Sequence, residues 1–225
     1  MILDAFKFTN SLFIENLSKF FIVVFPLFAL QFFVYLAFAS VPGNEFGTTT
    51  SLTANGQQIL TNLLGVYSMA LTILLIDDIY KERSRSIFDY FTYAFFFFFR
   101  ILFISLITLF IVMCGLFLFI LPGLYASARL LFAPFLAVTT NRGILDSVKK
   151  SFEITEERGW KVLGYILAVV IPFLFIMIFI LSVPAVYLIP QNMHAYMAIV
   201  FTLSFLFYVY FTIYTYRIFT NLSNN

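Results

Sequence analysis

The chain has 225 residues and a formal net charge of +2, and 62% of it is hydrophobic while only 11% is charged. An average globular chain is about 45–50% apolar and about 25% charged, and a domain of this length exposes too much surface to hide such an excess in water. Composition therefore excludes a soluble globular domain, and the small net charge excludes a nucleic-acid binder, leaving lipid as the solvent.

In chain order, the reading begins with an amphipathic lead, Leu3 to Ser18, in which Leu3, Phe6, Phe13, Leu17 and Phe20 form a helical stripe. A helix needs ~20 apolar residues to cross the hydrocarbon core, and six stretches reach that scale. They are Phe20 to Val41 (with Gln31), Ile59 to Ile76, Phe95 to Leu121, Leu124 to Thr140, Val162 to Ile189 and Ala195 to Ile218. Pro134 lies inside the fourth, and Pro172 and Pro184 inside the fifth. In lipid, prolines are tolerated as kinks. Ala37-Phe38-Ala39 mimics a signal-peptide cleavage site, but the apolar stretch before it is too long and its lead carries Asp4 and Glu15. The fold class is thus all-α: a polytopic membrane bundle of six transmembrane helices plus cytoplasmic amphipathic interfacial helices.

Lys and Arg orient it. Twelve of the thirteen fall before the first span, between the second and third or just inside the third (Arg100), between the fourth and fifth, or at the end of the sixth. The opposite segments, Pro42 to Gln58, Pro122-Gly123 and Pro190 to His194, hold none. The positive-inside rule then places both termini in the cytoplasm.

One membrane domain, 1–225, divides into three similar hairpins, 1–76, 77–140 and 141–225. Each has a cytoplasmic lead, an outgoing span ending near V-P-G, L-P-G or V-P-A, and a returning span. The second lead is Ser84 to Ala94 and the third Ile144 to Arg158, where Ile144, Leu145, Val148 and Phe152 share a face opposite Asp146–Lys150 and Lys149–Glu153 pairs. Such helices either lie in the headgroup region or serve as connectors on the bundle's rim.

Chemistry-bearing residues are few. No Asp, Glu or His falls inside the six stretches, and no P-loop, G-x-S-x-G, H-E-x-x-H or Cys/His metal spacing occurs. The expectation is no catalytic residue, cofactor or metal, hence no enzyme. His194 reads as a solvated outer-loop residue, and Asp77 and Asp78 read as carboxylates neutralised on a wet loop by Lys81, Arg83 and Arg85. Cys114 is the lone cysteine, so it offers no disulfide framework. Arg129 is the exception, an intramembrane cation placed about 8 Å below the outer end of its helix. Its partner is Glu45 in the outer loop, backbone carbonyls at the Pro122 turn or freed by Pro134, or a lipid phosphate, for which a guanidinium is well forked. Arg100 is placed to reach cytoplasmic headgroups. Tyr208, Tyr210, Tyr214 and Tyr216 read as an aromatic belt, and Ala133 and Ala137 as small residues that permit close helix approach.

The stretch P-G-L-Y-A-S-A-R-L-L-F-A-P (Pro122 to Pro134), then G-I-L-D-S-V-K-K-S-F (Gly143 to Phe152) and G-W (Gly159-Trp160), resembles the YciC-like family of uncharacterised bacterial inner-membrane proteins. A related pattern occurs in the membrane domain of some glycerophosphodiester phosphodiesterases. Pro122, Gly123, Arg129, Pro134 and Ser151 carry the match, which is best over Phe117 to Leu167. The resemblance implies a six-span plasma-membrane protein and no established activity. The functional expectation is a non-enzymatic protein that binds or organises phospholipid, anionic phospholipid in particular. The alternatives are a channel-like facilitator and an accessory subunit docking on another membrane protein; a homo-oligomer stays open.

Overall fold

The computed structural model describes residues 2–39, 51–188 and 193–223. Among them the chain is helical with no strand: α1 (Ile2–Val23), α2 (Phe25–Ala39), α3 (Ser51–Tyr80), α4 (Ile87–Leu118), α5 (Ile120–Leu130), α6 (Ala133–Thr139), α7 (Ile144–Ile154), α8 (Gly159–Leu188) and α9 (Met193–Ser223). Five helical stretches are long and apolar enough to cross a membrane, and a sixth is added if α1 and α2 form one bent span.

The breaks follow local chemistry. α1 runs through the whole first lead and into the first apolar stretch, then bends by 53° into α2. Pro26 sits at that bend; it has no N–H for the preceding turn and its ring crowds the carbonyl four residues back. The second lead is no separate element, because nothing between Ile87 and Leu118 breaks a helix; Ser84 to Ser86 precede α4, and the rest is its first turns. Only the third lead stands alone, as α7. The fourth apolar stretch is two helices, α5 and α6, parted at Leu131-Phe132 with Pro134 in the first turn of α6. α8 runs unbroken through Pro172 and Pro184. His194 belongs to the first turn of α9 rather than to a loop.

The core lies where the C-terminal halves of α3 and α9 meet α6 and α1. Leu71, Ile73 and Ile76 of α3, Phe205 and Ile213 of α9, and Phe132 at the start of α6 are almost wholly buried. α6 is buried along most of its length, and Ala133 and Ala137 are sealed within it, the small side chains permitting the close approach that their size suggests. α4 and α8 are the opposite: Phe96, Phe110, Phe175 and Ile178 stay exposed. A helix that is apolar all round needs a lipid or protein neighbour on its open side.

The tyrosines of α9 are interhelical ties, not a lipid-facing belt. Tyr214 and Tyr216 are buried; Tyr214 donates to Tyr165 O at 3.2 Å and Tyr210 to Asn10 Oδ1 at 2.9 Å. The reason is α1, which packs along α9 through Phe6–Tyr214 and Phe13–Tyr210 ring contacts. Arg217 closes the same pair of helices on Asp4, at 3.2 Å.

Candidate functional site

Two polar clusters stand out in this apolar molecule. The first holds Arg129. It lies nine residues into α5, about 14 Å from Ile120 at helical rise, deeper than a start at Leu124 implies. Its fork turns to α7: Nη2 donates to Phe152 O at 2.7 Å and Nε to Thr155 Oγ1 at 3.4 Å, with the guanidinium carbon 4.8 Å from the Phe152 ring centre. These partners close the C-terminal end of α7, where unpaired carbonyls and the negative end of the helix dipole favour a cation.

The contact is reciprocal. Ser151 Oγ donates to Arg129 O at 2.6 Å, a carbonyl near the break that Pro134 imposes between α5 and α6. Tyr125, one turn before Arg129, packs against Trp160 with tilted rings whose centres are 4.9 Å apart. Gly159 fits beneath it; a Cβ there would stand 2.6 Å from Tyr125 Cε2. The stretches Pro122–Pro134, Gly143–Phe152 and Gly159-Trp160 thus converge on one joint.

Arg129 therefore clamps α5 to α7. The carbonyl it uses belongs to neither the Pro122 turn nor the Pro134 break but to α7, whose C-terminal end packs against α5. Glu45 lies outside the described residues. Pro122 and Gly123 open α5, where Gly123 packs on Leu116 of α4. Pro134 lies in the buried start of α6, and Pro172 and Pro184 lie within α8. Arg100 also turns inward, to Ala137 O at 3.3 Å and Asn141 Oδ1 at 2.7 Å. On α7 Ser147, Val148 and Ser151 are buried and Ile144 and Phe152 pack beside them, while Leu145 is exposed; packing on α4, α5 and α6 covers three of the four stripe residues together with the small serines.

The second cluster is the pair Asp77 and Asp78. They sit in the last turns of α3, not on a wet loop, and are 4% and 0% exposed. A helix-ending turn builds it: Glu82 has φ 53°, its N–H donates to Ile79 O at 3.2 Å, and Arg83 N–H to Asp78 O at 2.8 Å. That Schellman arrangement folds Arg83 back over the carboxylates. Asp77 contacts Lys81 at 2.8 Å and Arg83 at 2.9 Å, and accepts from Tyr216 at 2.8 Å. Asp78 contacts Arg85 at 2.7 Å and Arg83 at 3.5 Å. A buried carboxylate persists only when so compensated.

Asp77 also lines a cavity of about 690 Å³ walled by α3, α6, α7 and α9. Lys81, Arg142, Lys150 and Arg158 line it, as do Glu153, Glu156 and Glu157, with Leu136 and Phe219 as apolar wall. Glu153 is engaged by Lys150 at 2.9 Å. Among the described residues Arg142 and Arg158 pair with no carboxylate. Sequence reasoning missed this cavity. Its basic residues were legible as a cytoplasmic group, but their convergence with the end of α3 was not. Among the described residues no three His, Cys, Asp or Glu side chains gather as metal ligands would.

Helices of this length and apolarity define a multi-pass helical membrane protein. The chain belongs to the uncharacterised protein family UPF0259, whose family model matches residues 48–221. No curated protein and no solved structure matches it.

Proposed function

We propose that this is a non-enzymatic, multi-pass integral protein of the bacterial plasma membrane, with both chain ends in the cytoplasm, that binds phospholipid headgroups at its charged end. The observation that carries the reading is the 690 Å³ cavity, in which Arg142 and Arg158 stand without a carboxylate partner beside an apolar wall. A guanidinium fork matches a phosphate bidentately, and Leu136 and Phe219 suit the less polar part of the same molecule. Glu156 and Glu157 also line the cavity, so a headgroup that carries an amine beside its phosphate fits as well.

The sidedness follows from the cations, which the positive-inside rule assigns to the cytoplasm. The exposed Trp160 next to Lys161, and Leu145 one turn from Lys149, are the side-chain combinations that anchor at a membrane–water boundary. Asp77 is engaged by Lys81, Arg83 and Tyr216, and Asp78, ion-paired with Arg85 and Arg83, is wholly buried, out of hydrogen-bond reach of a substrate that a general base would need. The related pattern in the membrane domain of some glycerophosphodiester phosphodiesterases points the same way.

Native mass spectrometry of the protein released from membranes tests this. The wild type is expected to retain phospholipid, and Arg142→Ala/Arg158→Ala to lose most of it. Equal retention by both proteins would remove the cavity as the binding site.

A further inference from the structure

The turn between α4 and α5 has none of the chemistry of a loop. From Leu109 to Leu124 no side chain is charged or hydrogen-bonding beyond the Cys114 thiol. Leu116 to Pro122 are all exposed, Phe117 at 92% and Phe119 at 76%. A surfaced loop of this composition would hold seven consecutive apolar residues in water, against the rule that loops are polar and wet.

The backbone is equally suited to an apolar medium. The reversal uses one non-helical residue, Phe119. It closes because Gly115 meets Gly123; a Cβ on Gly115 would lie 2.8 Å from Gly123 Cα. Phe119 N–H donates to Gly115 O at 3.0 Å and Gly123 N–H to Phe119 O at 3.4 Å, while Pro122 brings no N–H at all. Hydrocarbon has no water to satisfy a stranded backbone group, and these two bonds, with the N–H that Pro122 lacks, reduce the number left open.

Length agrees. Arg100 is held at the charged end through Asn141, and Phe119 lies about 28 Å further along the helix, against a hydrocarbon core of ~30 Å. The tip therefore reaches the far edge of the hydrocarbon core with no polar residue to carry it beyond.

We infer that the α4–α5 turn is a lipid-embedded tip, covered by acyl chains and not surfacing as a loop on the outer side. Acyl chains are the occupant because the tip continues, without a polar break, the exposed apolar side of α4 at Phe110 and Met113. Whatever covers that side covers the tip. The inference is independent of the cavity and its ligand.

Two reconstituted variants test it. In the first, Phe119→Trp with Trp160→Phe, tryptophan fluorescence is read in phosphatidylcholine vesicles, in vesicles whose acyl chains carry bromine, and with iodide on both sides of the membrane. The expected result is loss of fluorescence with brominated chains and none with iodide. Quenching by iodide would mean a surfaced loop, and quenching by neither would mean a protein-covered face; either overturns the inference. The second, Phe119→Cys with Cys114→Ala, keeps Trp160 in its contact with Tyr125. A charged maleimide is expected to modify it only after detergent is added; modification in intact vesicles from either side overturns the inference.

Discussion

Arg129 shows how an expensive residue is retained. A cation at mid-span costs at least ~2.5–3.5 kcal/mol on insertion scales, and no carboxylate meets it among the described residues. It is stabilised by the end of α7, through Phe152 O and Thr155. Arg129→Ala is expected to lower stability by about 1.5–3 kcal/mol, the range for a hydrogen bond to a charged group. Arg129→Lys restores little of this, since an ammonium cannot span both acceptors. Thermal unfolding in detergent reads the loss, and hydrogen exchange localises it to α7. Glu82 predicts a gain instead. At φ 53° its Cβ is strained and glycine is not, so Glu82→Gly is expected to stabilise by about 0.5–1 kcal/mol, read by the same melt. The sequence shows Arg129 as exceptional because a lone cation in an apolar run is visible at once. Its partner is hidden, being a backbone carbonyl, which has no side-chain signature. The Asp77–Asp78 pair misleads for a related reason. Its neutralising neighbours are adjacent in sequence, whereas the Tyr216 hydroxyl comes from α9.

At the scale of elements, glycine and proline decide where helices meet and break. Gly115 and Gly123 allow the α4–α5 contact, and Gly115→Val places a branched side chain where a single Cβ already meets backbone. Overpacking of this kind costs about 1–3 kcal/mol; a lower melting temperature and a looser hairpin, seen as faster exchange of the amides around Phe119, are expected. An unchanged melt would mean that the two helices do not touch there. Apolar length makes most of these helices legible, because a run of ~20 such residues has few other uses. Pro26 marks the bend between α1 and α2, a break hidden when Phe20 to Val41 is read by apolar length as one span. What length alone hides is continuity: nothing in Ser84 to Ala94 announces that most of it belongs to one long helix with the span that follows. The face α7 buries is hidden too. Its apolar stripe is plain in the sequence, yet the contacting face is centred on Ser147 and Ser151 and leaves Leu145 outside.

For the whole molecule, one arrangement accounts for the rest: an apolar bundle whose charges are gathered at one end, around a cavity that takes contributions from α3, α6, α7 and α9. The asymmetry is set by the spacing of Lys and Arg along the chain and is readable without coordinates. That those segments close on a common cavity is a tertiary fact, since it depends on α6 breaking from α5 and turning into the core. The placement of that end in the cytoplasm is the claim on which both the lipid reading and the inside–outside sense of the hairpin rest. A topology reporter inserted beside Lys149, with a second fused after Asn225, tests it most directly in intact cells. The account predicts that both report the cytoplasm; either one reporting the outer side would contradict it.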